Sequence, residues 1–276
     1  MKVRNKMKHR AIRLGMIILT LTLVLAGCAT GGGGGEKKVK LGILQMMAHA
    51  SLDQAREGFL AALKEGGYEE GKNLVVDYQN GQGERSNMQT MSERLVANSD
   101  IILTIATPAA QALVEVGPTQ PVLFTAVTNP VSAGLIASME KPGGLVTGTS
   151  DMAPIADQIA LLLGIKPDMK TVGLIYNLGE QNSVEQIDMA KVELAKAGVK
   201  VVEMTVTSTN DVEQMMTNLA KQVDGIYIPT DNTLAAAAQT VGEVAKEYKV
   251  PVVAGSVSQV EEGGLATYGI DYYQLG

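Results

Sequence analysis

Cysteine is almost missing from this 276-residue chain, which holds one, Cys28, and only two histidines, His9 and His49. No disulfide can close within the chain, and a Cys/His zinc site has too few ligands to be built. A nucleophilic engine of the Ser-His-Asp or Cys-His kind would have to use His49, and no nucleophile motif lies near it. Tryptophan is absent and phenylalanine occurs twice, so aromatic surfaces must come from the eight tyrosines. Positive charge is scarce beyond the start. Lys2, Arg4, Lys6, Lys8, Arg10 and Arg13 supply six of the 23 basic groups. The rest of the chain carries 17 basic against 29 acidic residues, a net of −12. Such a surface repels phosphate backbones and anionic lipid heads, which argues against nucleic acid as a partner. A 46% apolar, 19% charged composition is that of a folded protein long enough for one large domain or two small ones.

The longest apolar run, Leu14 to Gly27, falls short of the roughly 20 residues that span a bilayer. After a basic stretch and before Cys28, it reads as a signal peptide over residues 1–27. Leu25-Ala26-Gly27-Cys28 looks like a lipobox, with Cys28 as the lipidated residue. Gly31 to Gly35 has no side chains to bury and reads as a flexible tether over residues 28–37. No strand precedes it and neither nucleotide-loop spacing occurs, so it is not a phosphate cradle. These features predict an extracytoplasmic protein held to the outer face of the cytoplasmic membrane by lipid.

From residue 38 the pattern alternates. Strands are expected at 39–45, 74–78, 101–105 and 121–125, with helices from Leu52 to the Gly66-Gly67 stop, at 88–96 and at 108–116. The rhythm restarts after about residue 150. Helices are expected from Pro154 through Leu163, then at 184–197, 212–222 and 234–248. Strands are expected at 171–176, 199–206, 225–228 and 251–254. Strands apolar on both faces, alternating with helices, imply covered parallel sheets. The fold class is α/β, with two doubly wound parallel-sheet lobes over 38–150 and 151–270, joined by a hinge. Ligands of open parallel sheets sit beyond the carboxyl ends of the strands. Here those ends carry small polar residues: Gln45, Thr107, Thr128, Asn177 to Ser183, Asp231-Asn232 and Ser256. Facing one another, they would line an interlobe cleft.

A lipobox, two α/β lobes and a polar cleft together resemble the substrate-binding proteins of ABC importers. Residues 38–276 are similar to the tryptophan-type members. The resemblance is carried by Gly42-Ile43-Leu44-Gln45, Ala106 to Gln111, Thr125 to Pro130, Tyr176-Asn177 with Gln181 to Ser183, Ile228 to Asn232, and Gly263 to Tyr273. It implies a type I periplasmic-binding-protein fold, an aromatic amino acid (tryptophan first) as ligand, and a permease with its ATPase as partners. It implies no cofactor, no chemistry on the ligand, and a monomer. Such proteins run some tens of residues further, so 271–276 reads as the start of a return crossover, and many have Asp-Pro where Asn129-Pro130 stands.

For an amino-acid zwitterion, Thr107 as a helix N-cap, with the Ala109 and Ala110 N–H groups, is the expected carboxylate site. Asp231 is the expected ammonium partner, and Asp271 a second acidic candidate. Thr128 and Ser183 are candidates for the ligand backbone, Tyr176 for ring stacking, and Gln45, Asn182, Asn232 and Ser256 for further contacts. Pure turn or capping duty is the alternative for Thr107, Thr128, Ser183 and Asp231, and a core position is the alternative for Tyr176. His49 reads as a loop or helix-start residue, and Met46-Met47 and Met215-Met216 as packing rather than metal ligands. Two other functions remain open. An enzyme on the same scaffold would need an acid/base pair, which the sequence does not display. A sensory module for a membrane receptor would share the site and differ only in partner.

Overall fold

The structure, a computed structural model, describes residues 38–264 and 266–276. The signal, the lipobox Cys28 and the glycine tether lie outside the described residues. Among the described residues no helix is long and apolar enough to cross a membrane.

Lobe 1 is built from β1 (Val39–Gln45), α1 (Ala50–Glu65), β2 (Leu74–Asn80), α2 (Arg85–Asn98), β3 (Ile101–Ile105), α3 (Thr107–Glu115), β4 (Val122–Val127) and β5 (Val146–Ser150). Its five strands are parallel in the order β2-β1-β3-β4-β5. Lobe 2 follows with α4 (Ile155–Ile165), β6 (Thr171–Asn177), α5 (Gln181–Lys196), β7 (Lys200–Val206), α6 (Val212–Ala220), β8 (Gly225–Ile228), α7 (Asn232–Ala236), α8 (Ala238–Tyr248), β9 (Val252–Ala254) and α9 (Val257–Glu262). Its four strands are parallel in the order β7-β6-β8-β9. The chain then returns, and α10 (Tyr272–Leu275) packs against α1. Gly58 of α1 makes that docking possible, since a Cβ there would stand 1.9 Å from the Tyr273 carbonyl oxygen.

The inner strands explain the sheets. In β1 the five residues Leu41 to Gln45 are buried, and β8 is buried throughout. Each large aliphatic side chain so buried contributes roughly 1.5–3 kcal/mol. Both sheets therefore need helices on both faces, and the alternation of strand and helix supplies them.

Three expectations need correction. The edge strand β5 was not anticipated, because Val-Thr-Gly-Thr-Ser is mostly exposed and has no apolar run. It is held by close approach: a Cβ on Gly148 would stand 1.9 Å from the Phe124 carbonyl oxygen. The helix expected over 234–248 is two helices broken at Ala237 (φ −112°, ψ 22°), the first starting at Asn232 under an Asp231 cap. The helix expected from 184 begins at Gln181.

Candidate functional site

In each lobe the strand order reverses beside one central strand, β1 in lobe 1 and β6 in lobe 2, which places a crevice at the carboxyl ends. The two crevices face each other. A cavity between the lobes is lined by His49, Thr128, Asp151 and Tyr272 on one side, and by Asn182, Asp231, Asn232 and Gln259 on the other. It encloses about 20 Å³, room for about one water molecule. Along the same seam, on the side of β3 and β7, lies a larger hollow of about 240 Å³. Met46, Met88, Pro108 and Ala112 line it together with the polar Arg85, Gln111, Asn177 and Thr207, and Glu180 lies on its lobe 2 side.

The lobes touch directly around this cavity. His49 Nε2 lies 3.1 Å from Asn232 Oδ1. Ser51 and Ser258 are hydrogen-bonded through their hydroxyls, and Thr128 and Thr230 lie 3.4 Å apart through theirs. Behind the cavity, buried Asp151 joins the two chain crossings. Its Oδ1 accepts from Thr128 (3.2 Å) and its Oδ2 from the Tyr272 hydroxyl (2.7 Å). Burial raises the Asp151 carboxyl despite these bonds, and burial beside that carboxyl raises the Tyr272 phenol.

Three buried side-chain atoms on the cavity wall have no hydrogen-bond partner: His49 Nδ1, Asn182 Oδ1 and Gln259 Nε2. Their chemistry follows from their other halves. Asn232 Nδ2 donates to Glu180 (2.6 Å), so its Oδ1 accepts from His49 Nε2–H. Burial lowers the imidazole pKa, so the ring is neutral and Nδ1 is an acceptor. Asn182 Nδ2 donates to the Thr230 carbonyl (2.9 Å), leaving Oδ1 as an acceptor. Gln259 Oε1 accepts from the Ser256 N–H (3.0 Å), leaving Nε2 as a donor. The wall thus presents two acceptors, one donor and the Asp231 carboxylate.

Asp231 also caps α7. Its Oδ1 accepts from the Leu234 N–H (2.9 Å) and its Oδ2 from the Asn177 N–H (2.6 Å). Just behind it, Glu180 accepts from the N–H and side chain of Asn232 and from the N–H and hydroxyl of Thr233. Burial, and then the neighbouring Asp231 charge, raise Glu180 to about 7. Burial raises Asp231 as well.

Of the residues singled out from sequence, Thr128, Asn182, Asp231, Asn232 and Ser256 line the cavity. Ser183 is buried beside Asn182, with its hydroxyl toward Asp231. The others lie elsewhere. Gln45 spends its amide on the Met47 carbonyl and Asp53, and its oxygen accepts from Arg56. Tyr176 packs in the lobe 2 core with its hydroxyl on Glu203. Asp271 is exposed and caps α10. Thr107 is not the N-cap of α3. That position is Ala106, at φ 83° and ψ 151°, a region nearly reserved for glycine and costing about 1–3 kcal/mol. Thr107 Oγ1 is buried without a partner. Ala109 and Ala110 are buried off the cavity, and the Ala110 N–H donates to the Ala106 carbonyl. Sequence reasoning missed Tyr272, Gln259, Asp151 and the role of His49. Only the Ser256-to-Gln259 capping-box spacing could have marked Gln259.

A profile described as ABC transporter substrate binding protein matches residues 40–276. A tyrosine-binding protein of Clostridioides difficile (strain R20291) is 39% identical over 242 residues, covering 87% of this chain and 70% of the relative. The crystal structure of an ABC domain in complex with L-Trp from Streptococcus pneumoniae is 38% identical with a TM-score of 0.83, over 87% of this chain and 81% of that one. The ligand-free, open structure of a substrate-binding protein with adhesive properties from Clostridium difficile is 40% identical, yet its TM-score is 0.62, over 86% and 81%. At nearly equal identity, the TM-score is higher against the L-Trp complex than against the ligand-free, open structure.

Proposed function

The chain belongs to the ABC transporter substrate-binding protein family, and from that premise we propose that its cleft takes an aromatic amino acid, tryptophan or tyrosine. It is an extracytoplasmic receptor that passes the amino acid to a membrane permease powered by an ATPase, without changing it. The observation that carries this is the unpaired polarity of the cavity wall. Leaving a buried polar atom unpaired costs about 1–3 kcal/mol, and here three share one small space. An ammonium group satisfies His49 Nδ1, Asn182 Oδ1 and the Asp231 carboxylate. A carboxylate satisfies Gln259 Nε2, with the Ser51 and Ser256 hydroxyls beside it. In the hollow, Met46, Met88, Pro108 and Ala112 offer apolar surface to a ring, and thioethers suit aromatic edges. Two relatives near 40% identical to this chain are a tyrosine-binding protein and an ABC domain solved in complex with L-Trp. The polar cavity, at about 20 Å³, is too small for an amino acid, so binding there requires the lobes to part at the His49–Asn232 contact, with closure following. Cys28 anchors the receptor through lipid, and the glycine run lets it reach its permease.

Mass spectrometry of ligand released on denaturing the purified protein identifies the cargo. Thermal melting is expected to rise with added L-Trp or L-Tyr, by the equivalent of about 2.7 kcal/mol at a hundred times the dissociation constant. No shift with either amino acid, and no aromatic amino acid released, refutes the assignment.

A further inference from the structure

A second set of contacts closes the rim of the cleft, away from the cavity wall. Glu185 stands on the second turn of α5 in lobe 2. One carboxylate oxygen accepts from Asn129 Nδ2 at 2.5 Å, and the other from the Ser132 hydroxyl at 2.6 Å. Both donors belong to the turn that follows β4 in lobe 1. That turn is held by hydrogen bonds of its own, within lobe 1. Asn129 Oδ1 accepts from the Ser132 N–H (3.2 Å), the Asn129 carbonyl accepts from the Ala133 N–H (3.0 Å), and the Pro130 carbonyl from the Leu135 N–H (2.9 Å). One turn earlier on α5, on the same helix face, Gln181 Nε2 donates to the Ser132 carbonyl at 2.8 Å, and Gln181 Oε1 accepts from Gln111 of α3 at 2.6 Å.

We propose that Glu185 is the clasp that holds the lobes together over a bound ligand, and so sets how slowly the ligand leaves. Glu185 is a positioning residue, because it lines neither the polar cavity nor the hollow beside it, only an open surface groove with Ser132 and Gln181, and acts through the lobe arrangement. Three features carry the assignment. Each carboxylate oxygen has its own neutral donor, and charge-assisted bonds of this kind are the stronger ones. The donors sit on a turn already ordered by its own hydrogen bonds, so little side-chain freedom is lost on engagement. All of these bonds cross from one lobe to the other, so an opening motion must break them together. Interactions present only in the closed state slow dissociation and leave encounter unaffected.

The inference rests on the amino-acid reading of the cleft, and its test separates the two. The chain has no tryptophan, so the change in indole fluorescence on release comes from the ligand alone. In stopped-flow displacement from the full chain, Glu185→Ala is expected to raise the dissociation rate about tenfold, with the association rate within about twofold of wild type. The double variant Asn129→Ala/Ser132→Ala is expected to match it. The triple variant is expected to be no faster than either, since all remove one interaction. Glu185→Gln keeps one accepting oxygen and should recover part of the loss. An unchanged dissociation rate in Glu185→Ala, or full additivity in the triple variant, overturns the clasp. Should wild type bind neither L-Trp nor L-Tyr, the ligand reading fails and the clasp is decided by small-angle X-ray scattering of the ligand-free protein. There Glu185→Ala is expected to have the larger radius of gyration, and equal radii overturn it.

Discussion

Asp231→Asn separates a cap from a ligand contact, because Asp231 serves as both in the structure. Its two oxygens take two buried backbone N–H groups, from Leu234 at 2.9 Å and Asn177 at 2.6 Å. A carboxamide has one accepting oxygen, and its NH₂ would face the second N–H. One buried donor is then left unpaired, at a cost of about 1–3 kcal/mol. For a domain of this size that lowers the melting temperature by about 2–4 °C per kcal/mol. Part is returned at neutral pH, because removing the charge relieves the repulsion felt by Glu180. The stability loss should therefore be measured well below pH 7, where Glu180 is protonated and little repulsion is left to relieve.

Binding answers differently. If Asp231 faces the ligand ammonium, removing its charge costs roughly 2–5 kcal/mol of affinity, at least about 30-fold in the dissociation constant. Calorimetric titration with L-Trp and L-Tyr, beside thermal melts, gives both numbers. Asp271→Asn is the control, since Asp271 caps α10 by accepting from the Gln274 N–H (3.0 Å) and lies off the cavity. It should cost a little stability and no affinity. A lower melting temperature for Asp231→Asn with affinity unchanged within a factor of about three would refute the ammonium contact and leave Asp231 as a cap.

Three further outcomes are expected. Tyr272→Phe removes the 2.7 Å bond to Asp151 and leaves a buried carboxylate short of a donor, so chemical denaturation should show a loss of about 1–3 kcal/mol; an unchanged midpoint would dissolve the Thr128–Asp151–Tyr272 tie. Glu180 titrates near 7 when folded and near 4.5 when unfolded, so between those values the folded state holds more protons, and this group's contribution to stability rises as the pH falls from 7 toward 5. His49, lowered by burial, works the other way below its ordinary 6.5, so the measure is wild type minus Glu180→Gln: the urea midpoint of the variant should gain less on acidification, and parallel curves would contradict the shift. Finally, Cys28→Ser should move the protein from the membrane to the soluble extracytoplasmic fraction, and continued membrane retention would discard the lipid anchor.

The architecture was readable because its signals are local and repeated. β1, β3, β6 and β8 are short apolar runs, and helical spacing between them leaves few alternatives. Strand ends then locate the cleft, which is how Thr128, Asn182, Asp231, Asn232 and Ser256 came to be named. Side-chain direction is the part that the sequence does not display. Gln45 and Tyr176 occupy strand ends as expected, but alternation along a strand sends one residue to the cleft and its neighbour to the helices behind. A sequence apolar on both faces does not mark which is which. Thr107 failed for another reason. The strained Ala106 takes the capping position, and nothing about an alanine announces φ 83°. Tyr272 and Gln259 lie more than a hundred residues from Thr128 and Asp151, and only the return of the chain to α1 brings Tyr272 to the hinge.

Two buried carboxylates with raised pKa values beside a cleft would ordinarily suggest an acid/base pair. The hydrogen bonds of Glu180, the one whose pKa is raised to about 7, argue otherwise. A general base needs a free lone pair within reach of the proton it takes. A carboxylate has about four accepting sites, and Glu180 fills them with two donors from Asn232 and two from Thr233. Asp231 takes one backbone N–H on each oxygen, which leaves a lone pair on each for the ammonium proposed above. Both therefore hold the first turn of α7, and with it the Asn232 side chain that meets His49 across the cleft. The raised pKa values report what that placement costs: two like charges are brought out of water so that one asparagine faces the other lobe at a fixed angle. Such an arrangement suits the receptor proposed above, in which two lobes are aligned around a ligand.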